Sequence, residues 1–497
     1  MIKVVSVKTM RESDRQTIAS GISGIELMRR AAEGIYRSAQ WRPPVAIVCG
    51  TGNNGGDGYA VANILHDNGI ECMLFLLQNK FSEDGKHYFD LCKAKGIPYS
   101  FINNEISFSG YHTILDCLYG TGFHGEADGL AKEVIQKINA SGAYIVSADI
   151  NSGLGGECGI GSTVVVSDLT VSVGDYKPGH FLNMAKDVIK SKVHCDIGIQ
   201  LCRPSYSLVE AKDIMELFLR KHYSNKGTYG YVALIGGSVE YSGAAKLANL
   251  ACSAMRAGAG VTKLAVPSSI AHAVMPTLLE STLFPLKERE GRFVFNEEQI
   301  ADLLYHTKAC AVGMGIGQSA ETEKLISYLL ANYIGTLIID ADGLNTLAKM
   351  ERQTLLSAKC KMILTPHLLE FSRLSGLTKA EILVNPIEAA KSYADAVRAI
   401  VVLKGPTTII TDGVEVFLVD RGCAGMATAG SGDVLSGILA GIAGFCNCPL
   451  TAAYAGAYIN GLAGELAESK TNAASMLAGD TANSVAEAVS SILNFGR

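Results

Sequence analysis

Short apolar runs separated by helical stretches and Gly-rich turns constrain this chain more than any other feature. VAIVC from Val45, CMLFLL from Cys72, TILDCL from Thr113, AYIVSADI from Ala143 and LTVSV from Leu169 form one series. Such runs are too short for core helices and too continuously apolar for half-exposed strands, so they predict βα units around a mainly parallel sheet buried on both faces. A second series begins with YVALIGGS at Tyr231 and continues through TKLAVP, ACAVGMGIG, TLIIDADG, KMILTPH, AIVVLKG and TTIITDG. The expected fold class is therefore α/β, with a doubly wound N-terminal sheet followed by a second α/β domain.

A chain of 497 residues exceeds one ordinary core, and LCRPSYSLVEAKDIMELFLRKHYSNKGTYG, residues 201–230, reads as the join. The domains are predicted as residues 1–213 and 214–497. An early helix is expected over residues 13–40, with Ser13 as N-cap and Ile18, Ile22, Ile25 and Met28 as its inward stripe. The late runs GILAGIAGF and CNCPLTAAYAGAYI are broken by Asn447 and Pro449 and read as two buried helices rather than a membrane span. Their Ala and Gly content suits close packing between subunits, so a homo-oligomer is expected.

A net charge of −5 with no Lys/Arg run disfavours nucleic acid and anionic membranes, leaving small molecules as partners. Thirteen cysteines without a C-x-x-C pair suggest neither a disulfide framework nor a zinc site. With a charged start lacking an apolar leader core, they point to reduced thiols in the cytoplasm.

The loop CGTGNNGGDGYA contains a formal G-x-G-x-x-G in Gly50, Gly52 and Gly55, as in a Rossmann-like turn. Yet the second strand ends in Gln78 and Asn79, without the acidic residue that binds a ribose. Asp57 at the following helix start would repel a phosphate placed on it but suits a cation or a sugar hydroxyl. Asp116 and Asp149 close two further apolar runs, and Ser152 follows. In a doubly wound sheet these strand ends gather at one crevice, and such oxygen ligands favour a hard cation. Taken singly, each Asp is more often a cap or turn residue; their recurrence at three strand ends favours a site.

GCAGMATAGSGDVLSGILAG carries the second signal. A Gly-rich helix start offers backbone N–H groups to a transferring phosphoryl group, and Asp433 a base for the attacking hydroxyl. No Lys-Ser or Lys-Thr follows the glycines, so this is not a Walker loop. Asp340 and Asp342 in IIDADGLN either organise magnesium through water or cap the next helix.

NNGGDG, DCLYGTG, SADINSGL and SVGDYKPG resemble the N-terminal domain of the bifunctional nicotinamide-nucleotide-hydrate repair enzymes, the NAD(P)HX epimerase. The resemblance implies epimerisation of hydrated nicotinamide at C6, with K+ held by Asn54, Asp116 and Ser152. It places substrate against Asn53, Asn54, Gly55, Gly56 and Asp57, against Gly120, Thr121, Gly122, Phe123, His124, Gly125 and Glu126, and against Asp149, the candidate acid/base. Asn151 stands where the family usually has Pro, a departure expected to loosen the turn.

IGGSVEYSGAAKLA, GMGIGQS, LTPHLLEFSRL, LKGPTTII and GMATAGSGDVLSG, with IIDADGLN, resemble the same family's ribokinase-like dehydratase domain. The resemblance implies that Lys404, Gly405, Pro406, Thr407 and Thr408, with Ala429, Gly430, Ser431 and Gly432, cradle the phosphoryl donor. Gly315, His367, Glu370, Arg373 and Asp433 then face the hydrate, with Asp433 as catalytic base. DRGCAG stands where the family carries an Asn- and Pro-containing loop. The implied ligands are NADHX and NADPHX, Mg2+, and ADP with ATP as second choice. Two rival readings are a ribokinase-like small-molecule kinase and an N-terminal half that is a non-catalytic nucleotide-binding or RNA-processing scaffold module.

Overall fold

Seven strands of the computed structural model form a parallel sheet in the first of two units, Lys3–Tyr206; Ser207–Arg497 with Met1–Ile2 forms the second. The structure describes residues 1–202, 206–253 and 256–494. In space the first sheet runs Tyr99–Phe101, Cys72–Leu76, Val45–Cys49, Thr113–Cys117, Tyr144–Ala148, Leu169–Val173, Lys192–Cys195. Strand order reverses between Val45–Cys49 and Thr113–Cys117, which is where a crevice opens at the carboxyl ends of a doubly wound sheet. Their register pairs Val48 with Asp116, so the buried carboxylate sits one residue short of that rim.

The helix expected over residues 13–40 is two helices, Val7–Ala19 and Gly24–Ser38. Ser6 and Ser23 cap them, accepting from the Thr9 and Glu26 amides, and Gly21 separates them at φ 111°. Ser13 lies inside the first helix, buried, with its hydroxyl donating 2.7 Å to the Thr9 carbonyl. The break shifts the helical phase, so the predicted stripe is lost: Ile18 and Ile25 are exposed, while Leu27, Met28, Ala31, Ala32 and Ile35 face inward.

In the second unit the spatial order is Tyr206–Leu208, Val416–Val419, Thr408–Thr411, Ile400–Leu403, Lys361–Leu364, Thr336–Ile339, Thr307–Val312, Tyr231–Ile235, Val261–Pro267, Thr282–Leu286. From Ile400–Leu403 onward neighbours are parallel; Thr408–Thr411 runs against both of its neighbours. Ser207 and Leu208 pair with Phe417 and Leu418, and Val209, Ala211 and Ile214 enter this unit's core. Residues 207–213, expected in the first domain, therefore go with the second. Arg203, Pro204 and Ser205 of the expected join lie outside the described residues.

The late apolar runs form the helices Ser431–Ala443 and Pro449–Lys470. Their small residues let backbones approach: a Cβ on Gly437 would stand 2.1 Å from the Ala248 carbonyl oxygen, and one on Gly441 2.8 Å from Ala257 Cβ. The small faces on which self-association was expected are thus filled within the unit. Among the described residues no helix is long and apolar enough to cross a membrane. All thirteen cysteines are free thiols, eight of them buried.

Candidate active sites

A cavity of about 580 Å³ opens at the strand-order reversal of the first unit. Asn53, Asn54 and Asp57 reach it from the helix Asn53–Asp67, Gly120, Thr121, Gly122, Phe123 and His124 from the turn after Thr113–Cys117, and Asp149 from the turn after Tyr144–Ala148. Gly55, Gly56, Gly125 and Glu126 do not line it. Gly56 has a packing role instead, since a Cβ there would stand 2.5 Å from Met28 Cε and 3.0 Å from Gly85 Cα. The first helix, given no part in a site from sequence, supplies Arg11 and Asp14 to the wall.

Asp149 adopts a left-handed backbone (φ 61°), a conformation that costs a non-Gly residue about 1–3 kcal/mol and persists where the surroundings over-determine it. Here they do. One carboxylate oxygen accepts from Lys177 Nζ at 2.6 Å, the other from the Thr121 amide at 3.1 Å, and the carbonyl lies 2.7 Å from His180 Nε2. Burial pushes the Asp149 carboxyl up, but the Lys177 ammonium and these hydrogen bonds outweigh it and hold the group below the usual range. Lys177 is 1% exposed and also donates to the Val173 carbonyl at 2.6 Å. Burial lowers His180 to about 4, so its ring is neutral at pH 7, with Nδ1 accepting from the Lys177 amide at 3.0 Å. Asp57 is pushed well up by burial and then by Asp149. The two carboxyls thus differ, one held ionised and one inclined to keep its proton, as acid/base work requires.

Beneath the cavity floor Asp116 is fully buried, accepting from Ser152 Oγ at 2.5 Å, the Ser152 amide at 2.9 Å and Ser147 Oγ at 2.9 Å. Burial raises its pKa, partly offset by Ser152. Ser152 Oγ also accepts from the Tyr119 amide at 2.9 Å, and Asn54 packs over the adjoining Gly120. Both polar atoms of the Asn54 amide are buried without a partner. Asn151 does not loosen its turn: Nδ2 donates to the Val165 and Val188 carbonyls and Ser167 Oγ, and Oδ1 accepts from Thr170. Four bonds do what the proline ring was expected to do.

In the second unit Gly430 (φ 92°) turns the chain into the helix Ser431–Ala443, whose first turn holds Asp433. Burial, and then the neighbouring Asp340, raise Asp433 to about 7. Asp340 follows the strand Thr336–Ile339, where Gly313 (φ 119°) is needed: a Cβ there would lie 1.9 Å from the Asp340 carbonyl oxygen. Its carboxylate accepts from Lys404 Nζ at 3.0 Å and from Ser436 Oγ at 2.8 Å, tying the lysine to the helix of Asp433. Lys404 also lies 3.8 Å from Glu370. Burial opposes its charge, but Asp340 and Glu370 keep its pKa raised.

Glu370 and His367 close the N-terminus of the helix Leu368–Ser375, His367 Nδ1 accepting from the Leu369 and Glu370 amides. His367 is held by this capping, half exposed, with its pKa lowered first by burial. Arg373 is engaged 2.6 Å away by Asn345, and Thr407 donates to Asp420. Gly405, Pro406 and Ala429 are exposed beside half-buried Ser431, Gly432 and Gly315, and Thr408 opens the strand Thr408–Thr411. Asp342 accepts from the Gly317 amide at 2.9 Å rather than capping its own helix. Asp340, left outside the core from sequence, is the hub of this cluster.

Residues 232–486 match the NAD(P)H-hydrate dehydratase family, and residues 24–179 match the YjeF-related protein N-terminus. A bifunctional NAD(P)H-hydrate repair enzyme Nnr of Thermofilum pendens is 32% identical over 486 residues, covering 94% of this chain and 92% of that one. The chain belongs to the bifunctional NAD(P)H-hydrate repair enzyme family. The Nnr protein of Coxiella burnetii is 30% identical over 487 residues, covering 95% and 96% of the two chains. A solved ADP/ATP-dependent NAD(P)H-hydrate dehydratase of Bacillus subtilis, co-crystallised with ATP/Mg2+, is 26% identical with a TM-score of 0.51, covering 58% of this chain and 99% of that one. The ribokinase-like expectation for the second unit of this repair enzyme holds.

Sequence reasoning assigned no role to Lys177 or Arg11, and left Asp340 between a magnesium organiser and a helix cap. Lys177 sat inside SVGDYKPG, but nothing in that motif shows that its amine turns back onto Asp149. Asp340 gave a usable signal, since an Asp ending the apolar run TLII stands at the carboxyl end of a core strand.

Proposed function

We propose that the first unit epimerises NADHX and NADPHX at C6 and the second dehydrates the S epimer with ADP as phosphoryl donor, in the cytoplasm. The observation that carries this is Asp433, a carboxyl raised to about 7 in the first turn of a Gly-initiated helix. Hydroxide is a poor leaving group. Asp433 takes the C6 hydroxyl proton as that oxygen attacks the donor's terminal phosphoryl, and the helix-start amides of residues 430–432 stabilise the transferred charge. AMP leaves as the phosphoryl group transfers from ADP, the ring nitrogen then expels phosphate from C6, and loss of a C5 proton restores the ring double bond of NADH or NADPH. In the first unit, Asp149, kept ionised by Lys177, accepts a proton beside the ring, and Asp57 is placed to return one.

Two ions belong to this reading. The orphaned amide of Asn54, the buried Asp116 and Ser152 suit a weakly hydrated monovalent cation such as K+, which would satisfy Asn54 Oδ1 and offset a buried charge. Mg2+ has no protein cage among the described residues, where no group of three His, Cys, Asp or Glu side chains is arranged to hold a metal. It fits instead as an ion carried by the donor's phosphates, supplying charge neutralisation there.

The test is chromatographic. An NADHX epimer mixture is incubated with K+ or Li+, with Mg2+, and with ADP, ATP or no donor. Consumption of both epimers, with NADH and phosphate appearing fastest with ADP and epimerisation slowed in Li+, is expected. A stable phosphoester in place of NADH would overturn the dehydratase reading in favour of a small-molecule kinase. Because Asp433 works ionised, dehydratase kcat/KM should fall about tenfold per pH unit below about 7 and level off above it. A profile flat between pH 5.5 and 8, about the tested range, removes Asp433 as the base.

A further inference from the structure

We propose that Arg11 is the phosphate anchor of the first unit's cavity, holding the dinucleotide's phosphate at the mouth while the nicotinamide reaches Asp149. This rests on the epimerase reading of the same cavity. Its wall carries four carboxyl groups, Asp14, Asp57, Asp84 and Asp149, against two permanent cations, Arg11 and Lys177. Lys177 is buried and bonded to Asp149, so it has no charge to offer a ligand. A pyrophosphate, with or without a 2′-phosphate, therefore meets a wall whose charged side chains are mostly acidic and in which one cation remains.

Arg11 is placed for that contact. Its Nη2 lies 3.2 Å from the Thr121 carbonyl and 3.4 Å from His124 Nε2, and it passes over Gly122. These contacts hold the guanidinium at the lip through one nitrogen, leaving its other donors for an anion, and among the described residues it makes no ion pair with a carboxylate. A planar fork of this kind binds phosphate through two parallel hydrogen bonds. Beyond it a second hollow of about 420 Å³ shares Arg11 and His124 and adds Lys8 and Arg15 together with Glu12 and Glu157. Arg15 is taken up by Glu12. The inner cavity thus receives the reacting ring, and the adjoining hollow receives the rest of the dinucleotide past Arg11.

The experiment measures epimerisation of NADHX and of NADPHX, without donor, for the wild type, Arg11→Met and Arg11→Lys. Arg11→Met is expected to raise KM about tenfold, with kcat within about twofold, and Arg11→Lys to recover part of the loss. A rise on both substrates assigns the contact to the pyrophosphate; a rise on NADPHX alone assigns it to the 2′-phosphate. Equilibrium binding of NADP+ should weaken in parallel, and dehydratase activity should be unchanged in both variants, reporting an intact fold. Unchanged KM and NADP+ affinity in Arg11→Met overturns the anchor while the epimerase reading stands. Absence of epimerisation in the wild type overturns the reading itself.

Discussion

Asp433→Asn is expected to lower dehydratase kcat by about 10³-fold, with donor KM little changed and epimerisation intact. The substitution keeps the shape of the side chain in the first helical turn and removes only its ability to take a proton. Phosphate release and NADH absorbance, followed together, read the loss. The carboxyl is half-buried beside a second carboxylate, so the amide also relieves repulsion, and the variant should be at least as stable as its parent. Retention of more than about a tenth of the rate would mean that another group, or water, takes the hydroxyl proton.

Lys177→Met should be nearly as damaging to the other activity, for a different reason. Lys177 is a positioning residue: it fixes Asp149 in a left-handed turn and keeps its carboxylate ionised. Removing the ammonium leaves burial unopposed, so Asp149 gains proton affinity. The acid limb of the epimerase pH profile should move upward, and the rate at neutral pH should fall about 10²-fold. Breaking a buried pair from one side also costs about 3–5 kcal/mol of stability. The double variant Lys177→Met/Asp149→Asn separates the two effects: urea unfolding should recover most of the stability, and epimerisation should stay lost. An unshifted acid limb in Lys177→Met would leave the lysine a purely structural role.

The core strands were legible because a parallel sheet covered on both faces writes each strand as an unbroken apolar run. Tyr99–Phe101, Thr282–Leu286 and Lys192–Cys195 were not, being partly exposed strands whose sequences lack that run. The first helix was misread because both Ser6 and Ser13 can cap, and only the Gly21 turn decides the phase. Asp149, Asp433 and the Asn54 loop were singled out because strand ends and helix starts are places where chemistry concentrates. Lys177 and Asp340 depend on which side chain folds back onto which, information held in tertiary approach rather than spacing. Gly56 shows the converse, a residue inside a ligand-like motif whose job is to let two helices touch.

Asp340 has one more consequence. The same carboxylate sustains the charge of Lys404 and raises the proton affinity of Asp433, so donor attraction and base strength are not separately adjustable. Neutralising it would release the lysine's amine and make Asp433 a weaker base in a single stroke. Selection, natural or in the laboratory, would therefore meet a trade-off at this position, and improved turnover should come from changes that leave residue 340 alone.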